Sequence, residues 1–371
     1  MVSRVLIIGG YGNFGAYIAR RLAEDKSIQV IIGGRSADKA RSFANSLTSA
    51  KHKATWRQFD YRTGLPETLA EITPEIVIHT SGPFQNQTYD VARQCIAAGC
   101  HYIDLSDARD YVAGIGDLNQ EASEQGVLVL SGASSVPCLS AAIIDHYLMS
   151  FETLESVEYG IATAQHTNRG LATTSAVLSY AGKPFTTLQD DRTKTVYGWQ
   201  DVHRRTLRDV GRRWFGNCDV PDLELFTKRY PDLKSLNFYA GLEVPVVHLG
   251  LWLMSWLTRL HLLPSLEKLA PLLLRISRLF DPFGSDVSAF FMHLTGRSSS
   301  GTFISRNFDL VAHAGEGPYI PCAPAIIMAR KLARGTCTDK GARPCIGFVD
   351  LQTYLSELED LDITWSQDPI A

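Results

Sequence analysis

The stretch VLIIGGYGNFGAYIARRLAEDKSIQVIIGGRS, residues 5–36, decides the fold. Val5-Leu6-Ile7-Ile8 is a continuous apolar run, as expected of a strand buried on both faces of a parallel sheet. After the glycines, Phe14, Ile18 and Leu22 recur at i, i+4 and i+8 with Ala19 and Ala23 beside them, the stripe of a helix that packs on that sheet. Ile28 to Ile32 reads as a second buried strand. Between the first strand and the helix stands Gly10-Tyr11-Gly12-Asn13-Phe14-Gly15, which matches G-x-G-x-x-G. With 29 glycines in 371 residues the pattern alone is weak. Its place between a buried strand and an amphipathic helix is the context a dinucleotide site demands. Gly10 is expected to permit the tight turn, Gly12 to let backbone N–H groups approach a pyrophosphate, and Gly15 to let helix and strand pack closely. The helix N-terminus adds its positive end to the same place.

The end of the second strand separates NAD from NADP. An NAD site usually places Asp or Glu there for the ribose 2′-hydroxyl, whereas this chain has Gly33-Gly34-Arg35-Ser36, with Lys39 one helical turn on. Two cations and a hydroxyl stand where they would bind a 2′-phosphate, and no carboxylate stands where it would repel one. NADP is therefore the expected cofactor.

Further along, strands near Ala54 to Tyr61, Ile76 to Thr80, "HYIDLSD" and "VLVLSGASSVP" alternate with the helices "SADKARSFANSL", "YDVARQCIAAG" and "DLNQEASEQG". Alternation of this kind predicts an α/β chain whose N-terminal part, residues 1–150, is a Rossmann doubly wound parallel sheet. From Glu155 the character changes. "SVEYGIATAQ", "TKTVYGW" and "GTFISRNFDLVAHAGEG" read as strands of a mixed sheet and "GLATTSAVLSYAG" as a helix. This predicts a second α+β domain over residues 151–315 with Leu-rich helices. Residues 348–371 are expected to add a C-terminal helix and strand.

The Leu- and Trp-rich segment around 244–280 has three readings: a buried helical hairpin, an apolar homodimer interface, or an interfacial pair making peripheral membrane contact or forming a lipid-substrate pocket. Its uncharged run ending at Thr258 falls short of the roughly 18 to 20 residues that span a bilayer. Lys268, Arg275 and Arg278 on a Leu-rich helix suit the third reading. The basic run His203 to Arg213 is striped at helical spacing and is expected to be a solvated helix face, with an anionic substrate or headgroup site as the alternative.

Composition excludes other classes. Apolar residues at 45%, charged residues at 20% and a formal charge of −3 describe a soluble globular chain with no excess of cations for nucleic acid. Seven cysteines with no C-x-x-C pair, and no secretory segment near Met1, suit a reducing cytoplasm. No H-E-x-x-H or paired Cys/His cluster is present, so no metal is expected.

Taken together, "GGYGNFG", "GGRSADKA", "HTSGPF", "CIAAGCHYIDLSD", "GASSVPCLS" and "GEGPYIPCAPAIIMARKL" resemble the saccharopine dehydrogenase-like family of NADP-binding oxidoreductases. The resemblance implies pyrophosphate contacts at Gly10, Gly12, Asn13, Phe14 and Gly15, and 2′-phosphate contacts at Arg35, Ser36 and Lys39. It also implies that Ser81, Gly82, Pro83 and Phe84 lead the cofactor toward its nicotinamide. A late segment, about 316–347, is expected to pack back on the first domain. Saccharopine-forming reductases resemble one another in a Gly-Leu-Asp-Pro-Gly-Ile-Asp-His stretch, where this chain has Gly132 to Ser140 with Val136 for the Asp before Pro. A small-molecule substrate less polar than saccharopine, even lipid-like, is expected.

By the rule for doubly wound sheets, chemistry lies outside the carboxyl ends of the strands. Asp104, Asp107 and Ser135 are the catalytic candidates there. Asp107 could equally cap the following helix, Tyr102 could donate a proton, and Cys138 reads as a structural thiol. The expected function is hydride transfer to or from a C=N or activated C=C bond of a partly apolar substrate. The alternative is a non-catalytic NADP(H)-binding protein associated with a membrane or lipid.

Overall fold

β1 (Ser3–Ile8) pairs in parallel with β2 (Ile28–Gly34) on one side and with β4 (Ile76–His79) on the other, in the register Val5 to Val30 and Val5 to Ile76. β3 (Thr55–Gln58), β5 (His101–Asp104) and β6 (Leu128–Ser131) extend the sheet on either side in the order 3-2-1-4-5-6. The computed structural model describes residues 2–168 and 170–369. Val5, Leu6 and Ile7 are fully buried, as are Ile18 and Leu22 of helix α1 (Asn13–Ala23). Each such side chain contributes about 1.5–3 kcal/mol by leaving water. The continuous apolar run of β1 and the one-sided stripe of α1 thus have one cause: the strand lies inside a layered sheet and the helix on its surface. Strand order reverses at β1 and β4, which opens the binding crevice at their carboxyl ends.

The first unit comprises Met1–Leu139 and Tyr319–Val349. Its late part contributes the helix Ala323–Ala333 and a seventh strand, Gly341–Pro344, parallel to β6. That strand is an addition to the six read from the sequence. It is only four residues long and pairs with a partner far away in the chain, so nothing local marks it.

The second unit comprises Ser140–Pro318 and Asp350–Ala371. Its mixed sheet follows the path 203–207, 211–217, 235–242, 153–163, 288–297, 303–312, 363–367, with the hairpin 184–189 and 192–197 attached to 235–242. The strands 235–242 and 153–163 are parallel; the remaining neighbours are antiparallel.

One expectation is corrected here. The basic run is an antiparallel hairpin, His203–Leu207 with Gly211–Asn217, and no helix. Asp209 and Gly211 take left-handed φ of 55° and 82° at its turn. Leu207 and Val210 suggested helical spacing, yet they pack from the two sides of that turn on one cluster with Phe215 and Phe291. The guanidinium groups are placed singly: Arg205 pairs with Glu158, Arg213 with Glu243 at 3.1 Å, and Arg204 lies 4.1 Å over the Trp214 ring.

The Leu-rich segment forms the helices Pro245–Arg259 and Ala270–Ser277. One face buries Leu251, Leu266 and Ala270 with Leu178, Ala181 and Trp199. The other face leaves Val246, Leu253, Leu260, Leu262, Leu272, Leu279 and Phe283 exposed. Among the described residues no helix is long and apolar enough to cross a membrane.

Candidate cofactor and active site

The glycine loop is built by contacts that exclude side chains. Gly9 takes φ +80°, and the N–H groups of Gly9 and Gly10 both donate to the Gly33 carbonyl at 3.0 and 3.1 Å. The left-handed residue of the turn is therefore Gly9, one place before the glycine to which the motif reading gave that task. Gly10 is required for a different reason: a Cβ there would stand 2.9 Å from the Ile7 carbonyl oxygen. At Gly15 a Cβ would collide with the Gly9 carbonyl and come within 2.9 Å of Thr80 Oγ1. Gly12 donates to the Gly9 carbonyl at 2.8 Å and stands as the N-cap of α1. No side chain caps that helix and its first turn, Asn13 and Phe14 included, holds no acid. The positive end of α1 therefore carries no compensating carboxylate, which fits a pyrophosphate.

At the end of β2, Arg35 and Lys39 are exposed and Ser36 is half-buried. Ser36 Oγ accepts from the Lys39 N–H at 3.4 Å and so caps helix α2 (Ala37–Ser46). Gln58 of β3 donates to the Arg35 carbonyl at 3.1 Å and fixes the backbone there. Neither Arg35 nor Lys39 is paired with a carboxylate among the described residues. The donor set suits a 2′-phosphate.

The third part is the loop after β4. Ser81 lies against Gly9, where a Cβ would come within 2.6 Å of its Oγ. Gln87 Nε2 donates to the Ser81 and Pro83 carbonyls, both at 2.9 Å, and the Gly82–Pro83 peptide is cis. Phe84 is buried with Ala108 and Tyr111. Two residues here escaped the sequence reading. Thr80 Oγ1 donates to the Ile8 carbonyl at 2.9 Å and so ties β4 to the start of the glycine loop. His79 is fully buried among Tyr61, Phe84 and Tyr102, and burial holds its imidazole neutral, with its pKa lowered to about 3. Both lie in "IVIHTSGPF", whose apolar pattern announces a strand but not what its last residues touch.

The two candidate carboxylates occupy different surroundings. Asp104 is fully buried at the end of β5, and its Oδ1 accepts from the Ser106 N–H at 2.9 Å, the Ser131 hydroxyl at 3.0 Å and the Gly132 N–H at 2.9 Å. Burial pushes its pKa to about 6 against the pull of those donors. It cross-links the ends of β5 and β6. Asp107 is half-buried, and Gln85 Nε2 donates to its Oδ1 at 3.1 Å, which joins the loops after β4 and β5. Burial raises its carboxyl above the ordinary range. It does not cap the next helix, whose Ala108 N–H is taken by Ser106 Oγ at 3.2 Å. Ser135 is 7% exposed on the turn after β6, and no hydrogen bond joins it to either carboxylate among the described residues. The Tyr102 hydroxyl is engaged by His79 Nδ1 at 3.1 Å and Tyr111 at 3.3 Å, and Cys138 is buried. Among the described residues no group of three or more His, Cys, Asp or Glu side chains could hold a metal ion.

Comparison with known proteins agrees with this geometry. Residues 5–130 match the family described as saccharopine dehydrogenase NADP binding domain. No curated protein matches the chain in sequence. Among solved structures, the apo saccharopine dehydrogenase (L-Glu forming) from Saccharomyces cerevisiae aligns at TM-score 0.68 and 13% identity, over 99% of this chain and 100% of that one. At that identity the likeness concerns the fold. An amine dehydrogenase from Mycobacterium smegmatis aligns at TM-score 0.46 and 10% identity over 92% and 94% of the two chains. A Synechocystis biliverdin reductase, solved with biliverdin and NADP+, aligns at 0.42 and 12% over 96% of each. Residues 5–130 thus carry a saccharopine dehydrogenase NADP binding domain, and the chain as a whole shares the fold of the yeast enzyme.

Proposed function

We propose that the protein is an NADP(H)-dependent oxidoreductase that moves hydride to or from a C=N or activated C=C bond of a partly apolar substrate. The observation that carries this reading is the fit at both ends of the cofactor site. The glycine loop has no room for a side chain at Gly10 or Gly15 and opens on an unopposed helix start, while Arg35 and Lys39 follow β2 unpaired and the acid between them, Asp38, is paired with Arg41. The nicotinamide supplies the hydride when bound. Asp107 is assigned the proton: it is half-buried, tethered through Gln85 to the loop after β4, and its raised pKa keeps a larger share of it protonated near neutrality. Asp104 is a positioning residue that holds the β6 turn, from which Ser134 and Ser135 present hydroxyl donors. Val136 and Pro137 make the rest of that turn apolar, in keeping with a substrate that is not a tri-acid.

The test is stopped-flow fluorescence of NADPH with hydrophobic imines and α,β-unsaturated carbonyl compounds, and of NADP+ with the corresponding amines and saturated products. Turnover of one class is expected, lost at least a hundredfold in Asp107→Asn while NADPH binding stays intact. Tight NADPH binding with no deuteride transfer from labelled cofactor to either class, in either direction, would sink the catalytic reading.

A second reading is supported by the surface of the Leu-rich segment. Among the described residues, nine of the 15 exposed large apolar side chains fall between Val246 and Phe283, and Lys268, Arg275 and Arg278 are exposed beside them. An apolar face rimmed by cations suits an anionic bilayer, and in this reading the protein carries NADP(H) there without turnover. Flotation with phosphatidylserine vesicles should recover the protein, and Leu253→Ser with Phe283→Ser should release it. A concentration-dependent dimer that ignores vesicles would assign the face to a second copy instead.

A further inference from the structure

Tyr11 occupies the first variable place of G-x-G-x-x-G, and its position is constructed from two sides. Its ring lies on Gly34, where any Cβ would collide with ring carbons, so the second glycine at the end of β2 is needed by Tyr11. Its phenol oxygen accepts the Ser36 N–H at 3.0 Å. A phenol has one O–H to give as well as an oxygen that accepts. The oxygen is used on Ser36, and no acceptor among the described residues takes the proton.

The surroundings of that hydroxyl are cationic and open. Tyr11 and Lys39 line one cavity of about 470 Å³ together with Asp38, Ser42, Phe43 and Ser46. Arg35 lies between Gly34, which supports the ring, and Ser36, which holds the hydroxyl. Asp38 is the single acid on the wall, and Arg41 holds it at 2.7 Å. An unused O–H and the unpaired Lys39 on an open space, with the unpaired Arg35 on the adjoining backbone and the one acid held by Arg41, are complementary to a phosphate dianion.

We infer that Tyr11 is a specificity-determining residue: its hydroxyl donates to the 2′-phosphate of NADP(H) while its oxygen holds the Ser36 N–H and so the start of α2. The inference rests on the Arg35 and Lys39 end of the site being the 2′-phosphate end. It adds a neutral donor from the glycine loop itself, so that one residue links pyrophosphate loop and 2′-phosphate site. A hydrogen bond to a charged group contributes enough for about a tenfold to hundredfold change in binding.

The experiment is isothermal titration of NADPH, NADH and the fragment 2′,5′-ADP into the full-length protein, its Tyr11→Phe variant and its Arg35→Ala variant. Tyr11→Phe is expected to weaken NADPH and 2′,5′-ADP about tenfold or more and to leave NADH unchanged. Equal weakening of NADPH and NADH would make Tyr11 a structural support of the loop and overturn the inference, as would no change in either. If Arg35→Ala leaves the NADPH-to-NADH ratio untouched, the reading of that end of the site fails first, independently of Tyr11. Should Tyr11→Phe not fold, 3-fluorotyrosine placed at position 11 retains the hydroxyl. Its fluorine resonance should move with 2′,5′-ADP and not with 5′-ADP; an equal response to both would overturn the inference.

Discussion

Tyr17 of α1 and Tyr319 of the late segment stack with ring centroids 4.2 Å apart and planes within 8° of parallel. The helix that begins at the glycine loop is thus braced by a part of the chain that follows most of the second unit. Asp25, just beyond the end of α1, repeats the relation: it is paired with Arg330 at 3.7 Å and with Arg334. Tyr319→Ala should lower stability by about 1–3 kcal/mol and weaken NADPH binding, since α1 would lose one of its fixed neighbours. Calorimetric melting with and without NADPH measures both; an unchanged melting temperature would show that the stacked pair carries no load.

At Gly15 the added methyl of Gly15→Ala meets the Gly9 carbonyl and Thr80 Oγ1. Backbone on one side and a hydrogen-bonded hydroxyl on the other cannot move aside cheaply. The substitution should cost about 1–3 kcal/mol and reduce NADPH affinity more than tenfold, read by thermal shift and titration. Gly99→Ala is a useful contrast. It adds strain from a φ of +68°, but no atom lies near its Cβ, so it should lose stability without loss of affinity.

Asp104 and Asp107 should part company on substitution. Asp104→Ala leaves the Ser106 N–H, the Gly132 N–H and the Ser131 hydroxyl without their acceptor in a fully buried place. A loss of about 2–4 kcal/mol is expected, with urea denaturation as the measure. Asp107→Asn should keep the fold within about 0.5–1 kcal/mol because Gln85 can still find an oxygen. A destabilisation by Asp107→Asn as large as that of Asp104→Ala would remove the basis for assigning them different tasks.

The second unit contains a pH-sensitive group of its own. Asp222 is fully buried, bonded by the Ser140 hydroxyl, and burial pushes its carboxyl from 3.8 to about 7, with the Ser140 and Tyr159 hydroxyls and its own backbone offsetting part of the shift. The folded chain therefore holds a proton that the unfolded chain gives up. Stability from this group is present below about 4 and is lost as pH rises through about 7. His79 acts in the opposite sense. Burial lowers its pKa from 6.5 to about 3, so acidification through that window favours the unfolded chain. Asp222→Asn should be more stable than the parent at pH 8, by on the order of 2–4 kcal/mol. It should lose stability more steeply than the parent between pH 6.5 and 4. Calorimetry across that range decides it; parallel curves would show that Asp222 is ionised in the folded state.

The first unit was legible where its signals are local. A buried strand, a glycine turn and an amphipathic helix in direct succession can pack in few ways, so residues 5–36 alone imply a parallel sheet with an anion site at its carboxyl edge. The cations at 35 and 39 follow from position on the same segment. Spacing could not say which glycine turns left-handed, because the two N–H bonds to the Gly33 carbonyl place that demand on Gly9. The basic run misled for a related reason: Leu207 and Val210 are three apart in a helix and equally so across a hairpin turn, and only pairing with Gly211–Asn217 distinguishes them.

The sequence by itself determined the Rossmann order, the glycine loop and the two cations, Arg35 and Lys39, that follow the second strand, since each depends on neighbours within a few residues. Tertiary structure alone decided the seventh strand at Gly341–Pro344, the Thr80 tie to Ile8, the contrast between Asp104 and Asp107, and the seat of Tyr11 on Gly34. Each of these joins residues distant in the chain, and no pattern within either segment records the partner it will meet.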